Sequence, residues 1–172
     1  FCMNFVTYDR KAVDLIQHCL EQRVKRDNLT IFIGTDSISI AGIIHYYIVV
    51  AFRYDKNGAH FIFAKEKVPT YRQANGKPDV FTKLWRECQL TIEVAEVLVN
   101  KDIFRRDEII IELDYNSVVD TLSKPLIPAT KGWAVGLGYQ VLTKYGEYAI
   151  VNGQRVDDQV AVKAANHLCK GV

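Results

Sequence analysis

The sequence has little of what marks specialised chemistry. Its four cysteines, Cys2, Cys19, Cys88 and Cys169, are far apart and form no CxxC pair. Neither a zinc ribbon nor a disulfide scaffold is expected, and the pattern fits reduced thiols in a cytoplasmic protein. The four histidines, His18, His45, His60 and His167, show no metal-motif spacing and read as structural or exposed. No apolar run reaches the roughly 20 residues of a membrane helix, so no membrane span is expected. There is no internal repeat, low-complexity tract or Pro/Ser-rich linker, which predicts a single domain over 1–172, with 1–28 as an N-terminal helical extension and 29–170 as the core. Charge of one sign is not in excess: 22 basic against 20 acidic residues leave a net +2. Bulk charge therefore carries no polyanion signature, although a local basic patch can sit on a nearly neutral protein. What remains is an ordinary globular balance, 49% hydrophobic and 24% charged, in a chain long enough to bury a real core.

Periodicity divides the chain into elements. Residues 9–26 read as a helix, with Asp9 as N-cap and Val13, Ile16, Leu20 and Val24 at helical spacing. Three strand-like runs follow, roughly 30–36, 42–54 and 59–68, the last two joined by a turn with Asn57-Gly58 at its tip. After a polar loop over 69–79, residues 80–100 give the strongest helix signal, with Leu84, Cys88, Thr91, Ala95 and Leu98 on one face. A strand is expected at 108–114, short helices near 117–123 and 130–137, a strand near 138–145 and a closing helix over 156–169. The first three strands form a meander, and the later strand–helix alternation implies parallel pairing with right-handed crossovers. The expected fold is α/β: a mixed five-stranded sheet with helices on both faces.

Within this sheet Asp36 is out of place, as the one full charge in the early part of the apolar stretch "IFIGTDSISIAGIIHYYIVVAFRY". A lone buried carboxylate is costly and normally pairs, neutralises or binds a metal. Asp114 ends the fourth strand and can sit level with Asp36; Glu87 lies in the first turns of the long helix; Asp158 opens the last helix. Four such carboxylates cannot all stay ionised unaided, and a divalent cation removes the conflict. An all-oxygen set suits Mg²⁺ or Mn²⁺, and two such ions about 4 Å apart can activate a water and stabilise the leaving oxygen of a phosphodiester. Each residue also has a plainer reading: Asp36 capped by Thr35, Ser37 and backbone amides, Asp114 as a turn residue, Glu87 paired with Lys83 or Arg86, and Asp157 and Asp158 as a helix-start pair. Glu93, Glu96, Glu108 and Glu112 read as surface charges. Asp157 is the alternative to Asp158, since helical geometry divides them almost evenly.

The order β-β-β-α-β-α-β-α with Asp, Glu, Asp and Asp resembles the ribonuclease H superfamily. "IGTDS", "WRECQLTIEVAEVL" and "IIIELDYN" together resemble its YkuK-like group of predicted ribonuclease H-related proteins, over about residues 29–168. "DQVAVKAA" resembles the superfamily's last helix and favours Asp158, although Val160-Ala161-Val162 departs from the Val-Ala-Asp ending of the YkuK-like group. The resemblance implies a metal-dependent phosphodiesterase acting on RNA, DNA or a hybrid, with Asp36, Glu87, Asp114 and Asp158 as ligands of Mg²⁺ or Mn²⁺. Lys65, Arg72, Lys131 and Arg155 flank that site in sequence and are candidates for phosphate contacts, with Tyr71 and Trp133 as neighbouring aromatics. The alternative is a module that keeps the fold and binds nucleic acid without turnover.

Overall fold

The computed structural model describes residues 2–25, 28–54, 58–115, 125–143, 148–151 and 153–172. In chain order the elements are β1 (Phe5–Thr7), β2 (Ala12–Val13), α1 (Leu15–Lys25), β3 (Leu29–Ile40), β4 (Ile43–Tyr54), β5 (Ala59–Pro69), α2 (Val80–Asn100), β6 (Ile109–Leu113), α3 (Leu126–Gly136), β7 (Gln140–Thr143), β8 (Ala149–Val151), β9 (Gln154–Val156) and α4 (Ala161–Lys170). Among the described residues the main sheet has seven strands in the order β2-β1-β5-β4-β3-β6-β7, and β8 pairs with β9 in a separate ribbon. β3 is antiparallel to β4 and parallel to β6, and β6 is parallel to β7.

The β-branched and aromatic runs of β3 and β4 close through Ala41 and Gly42. Both have positive φ, 50° and 77°, the backbone of a tight hairpin turn whose twist matches the strands. α2 begins at Asp79, whose carboxylate accepts from the Thr82 backbone N–H at 3.1 Å. Leu84, Cys88, Thr91, Ala95 and Leu98 then face the sheet, as their spacing predicts. Alternation along the strands splits the core in two. Ile31, Ile33, Tyr46, Ile48, Ile109 and Ile111 pack under α1, α2 and α3. Phe32, Tyr47, Val49 and Ile110 pack on the other face, with Ala161, Ala165 and Leu168 of α4 and with the β8–β9 ribbon. No helix among the described residues is long and apolar enough to cross a membrane.

The three-strand meander, α2 and the parallel β6–β7 pair stand where the sequence puts them. The expected five strands become seven because residues 5–7 and 12–13, read as part of a helical extension, pair with each other and with β5. Asp9 caps no helix: it lies between those strands and accepts from the Thr7 hydroxyl, beside Lys11. Asp14 takes the capping role, accepting from the Gln17 N–H at 2.8 Å. α1 therefore turns Leu15 and Cys19 inward and leaves Leu20 and Val24 exposed, against the stripe read from the sequence. The β8–β9 ribbon is too short to show a period, and it displaces the start of the last helix from 156 to Ala161. The helix expected at 117–123 and the turn residue Asn57 lie outside the described residues.

Candidate functional site

The site is built at the end of β3 and depends first on a glycine. Phe32, Gly34 and Asp36 alternate on the α4 side of the strand. A Cβ on Gly34 would lie 2.8 Å from Val162 Cγ2 and 3.3 Å from the Val162 nitrogen, so only glycine lets the start of α4 rest on β3. Glu112, the β6 residue paired with Gly34, holds that helix end. Its carboxylate accepts the N–H groups of Val160, Ala161 and Val162 at 2.7, 3.2 and 2.8 Å. Burial pushes the Glu112 carboxyl up to about 7 while these three N–H groups pull it down. Read from the sequence as a surface charge, Glu112 is instead buried at 1% exposure. Its place in the buried strand "EIIIELD" is the signal that could have shown this.

So anchored, α4 carries Asn166 to Asp36. The Asn166 amide donates to Asp36 Oδ2 at 3.1 Å, and the Ser37 N–H donates to Oδ1 at 2.8 Å. Ser37 points to the opposite face, where its hydroxyl donates to Glu87 Oε1. Glu87 is 5% exposed, two turns into α2. The Gly34↔Glu112 register, continued by two residues, brings Asp114 level with Asp36. Burial raises the Asp36 carboxyl, and the charge of Asp114 adds to this; the bonds from Ser37 and Asn166 and the charge of Lys83 oppose it. Burial also raises Glu87 well above the carboxylate range, with Asp36 and Asp114 adding and Ser37 and Lys83 opposing. The charge of Asp114, at the end of β6, thus acts on Asp36 of β3 and on Glu87 of α2, and that of Asp36 acts on Glu87.

Asp158 does not join them. It is exposed, in the segment before α4, with its carboxylate 3.5 Å from Arg53. Arg53 pairs with Thr30 at the start of β3, six residues or roughly 20 Å along the strand from Asp36. Asp157 is beside it, 3.5 Å from Arg155. Both line a separate cleft of about 590 Å³ with Arg53, Arg155, Thr30 and Gln154. The residue of the last helix that reaches Asp36 is Asn166, an amide that the carboxylate pattern of the sequence does not single out. Of the basic candidates, Lys65 shares a cross-strand row with Asp36 through the pairings Asp36↔Tyr47 and Tyr47↔Lys65, and its ammonium is 4.9 Å from the Tyr47 ring centre. The Arg72 guanidinium donates to the Gly76 carbonyl in the loop before α2, Lys131 is on α3, and Arg155 is in the distant cleft.

The groups at this end of β3 that could hold a cation are oxygens: the carboxylates of Asp36, Glu87 and Asp114, with the Ser37 hydroxyl on the Glu87 side. This chemistry fits Mg²⁺ or Mn²⁺. Among the described residues no three His, Cys, Asp or Glu side chains stand close enough to hold an ion as they are. Asp36 and Glu87 are instead occupied with Asn166 and Ser37.

A central strand flanked by an antiparallel meander and a parallel pair, with acidic residues at its end, defines the class of α/β proteins that group carboxylates at a sheet terminus. A family model described as ribonuclease H-like matches residues 11–150. The chain belongs to that ribonuclease H-like family. The match stops before α4, so Asn166 lies beyond it. No curated protein and no solved structure matches the chain.

Proposed function

We propose that this protein is a divalent-cation-dependent phosphodiesterase acting on nucleic acid at Asp36, Glu87 and Asp114. The observation that carries the reading is that three carboxylates from three separate elements lie within range of one another's charge, with Asp36 and Glu87 raised by burial first and by that repulsion second. A bound Mg²⁺ or Mn²⁺ would offset that repulsion, activate a water and stabilise charge at the phosphorus. Asn166 and Ser37 orient the Asp36 and Glu87 oxygens, and Lys83 supplies a positive charge on the α2 side. Cys169 offers no alternative nucleophile. Burial, with the charges of Asp36 and Glu87, pushes its thiol up to about 12, so thiolate is scarce at neutral pH. Lys65, in the cross-strand row of Asp36, would supply a cation for a backbone phosphate.

One observation favours a second reading, binding without turnover: the residue on Asp36 from the last helix is the neutral Asn166, and Asp158 is held by Arg53. The test is cleavage of labelled RNA, DNA and hybrid oligomers in Mg²⁺ or Mn²⁺, with Asp36→Asn as control. Cleavage lost in the variant and in excess chelator supports the phosphodiesterase. Binding of any of these oligomers with no cleavage by the wild type replaces it with the second reading.

A further inference from the structure

Phe81 and Trp85 lie one turn apart on α2, and Trp133 meets them from α3. The Phe81 and Trp85 ring centres are 6.2 Å apart with planes 11° from parallel; Trp85 and Trp133 are 5.5 Å apart and 10° from parallel. Three near-parallel rings make a continuous offset stack. Its inner members, Trp85 and Trp133, pack against the core beneath α2 and α3. Its outer member, Phe81, is 43% exposed, so the row ends at the surface. The charge around that end is one-sided. Arg72 and Lys77 stand in the loop leading into α2, and among the described residues neither forms a salt bridge. The acid in this segment, Asp79, is engaged in capping α2. The stack and the carboxylates share a helix, with Trp85 and Glu87 two residues apart on its opposite flanks.

We propose that the Phe81–Trp85–Trp133 stack is a platform for unpaired bases of single-stranded nucleic acid, with Arg72 and Lys77 holding the adjoining phosphates. The inference rests on the phosphodiesterase reading for its ligand class and deepens it by naming a single-stranded substrate. A base with a free π-face extends the row beyond Phe81, and such stacking is tolerant of sequence. A base inside a duplex has both faces covered by its neighbours. The surrounding cations complement the phosphates.

Both tryptophans of the chain are in the stack, so the intrinsic fluorescence of the wild-type protein reads it directly. The experiment titrates the protein, in chelator, with oligothymidylate, oligouridylate, an abasic DNA strand of equal length and charge, and a blunt duplex, following fluorescence together with the anisotropy of the labelled oligomer. Quenching by the single strands, with weaker binding of the abasic strand and the duplex, is expected; quenching by the thymidylate or uridylate strand alone also supports the platform. Phe81→Ala and Phe81→Leu should weaken single-strand binding by about tenfold, whereas Phe81→Tyr, which keeps a flat ring, should retain it. Equal affinity for the abasic strand, unchanged fluorescence at saturation, wild-type affinity in Phe81→Ala, or no binding overturns the proposal. Cleavage is scored separately in Mn²⁺. Cleavage without quenching removes the platform and leaves the carboxylate reading intact; quenching without cleavage removes that reading and leaves the platform.

Discussion

Gly34→Ala is the substitution whose outcome the packing defines most sharply. The new methyl would sit 2.8 Å from Val162 Cγ2 and 3.3 Å from both the Val162 nitrogen and Glu112 Cβ, where ordinary contact begins at 3.4 Å. Val162 is β-branched and cannot swing aside within a helix. The start of α4 must therefore lift by about 0.6 Å or more. That shift strains the three N–H bonds to Glu112, two of them short. Overpacking of this kind costs about 1–3 kcal/mol, and weakening bonds to a buried charge adds to it. We expect a loss of about 2–3 kcal/mol, or roughly 4–12 °C in Tm for a chain of this size. The assay is urea unfolding followed by far-ultraviolet circular dichroism, with Val162→Ala and the double variant completing a cycle. Removing Cγ2 takes away the closest clash but not the backbone one, so the double variant should recover part of the loss, with a coupling above about 0.5 kcal/mol. A Gly34→Ala protein within about 0.5 kcal/mol of wild type, with no coupling to Val162, would refute the reasoning.

Asp36→Asn should leave stability equal or higher, because repulsion within the cluster falls; Mn²⁺ affinity by calorimetry should fall more than about tenfold, the loss typical even of an outer-sphere partner, and unaltered affinity counts against ligation. Asn166→Asp adds a fourth carboxylate against Asp36; without metal it should melt lower than wild type at neutral pH, and Mn²⁺ should raise its Tm by more than it raises that of the wild type, whereas equal shifts would place Asn166 outside the cation site. Asp158→Asn, at the far cleft, should leave Mn²⁺ affinity as it is; a loss there would return Asp158 to the site. His18 and His60 meet Nε2 to Nε2 at 2.8 Å, and burial lowers both below the ordinary histidine value. As pH falls below about 6.5 the unfolded chain takes up protons that the folded pair resists, so stability falls with acidification and gains nothing further above that range; thermal melts of wild type and His18→Gln across pH 8 to 5.5 test this, and parallel pH slopes would defeat it.

The strands and helix that position Asp36, Glu87 and Asp114 are long and strongly periodic, and for that reason were legible in the sequence. α2 runs over Val80–Asn100, the span its apolar face predicts, and the register of β3 with β6 follows from two runs that must both be buried. The segments misread are short or locally ambiguous. Residues 5–7 owe their strand character to the edge of β5, a partner more than fifty residues away, and residues 12–13 to residues 5–7 in turn, not to a pattern of their own. The fourth position failed for a different reason. A search for carboxylates looks past an amide, and Asp158 precedes α4 instead of riding on it. Only the placement of α4 by Gly34 and Glu112 shows which residue of that helix reaches Asp36, and Glu112 was itself hidden by the assumption that a glutamate next to a strand end is solvated.

The position of β3 in the middle of the sheet has a consequence for how the protein is made. Its antiparallel partner β4 follows it at once, through a two-residue turn, but the parallel partner β6 comes far later: Ile31 pairs with Ile109, 78 residues downstream. At translation rates of about 5–20 residues per second, that interval lasts about 4–16 s. For that time a nascent chain that has already closed the β3–β4 hairpin presents the edge Ile31-Phe32-Ile33 with no strand beside it. This is the kind of apolar edge that templates pairing with another chain. The same strand that seats Asp36 is thus an edge open to misassembly on the ribosome, and slowing elongation between β5 and β6 would lengthen that exposure in direct proportion.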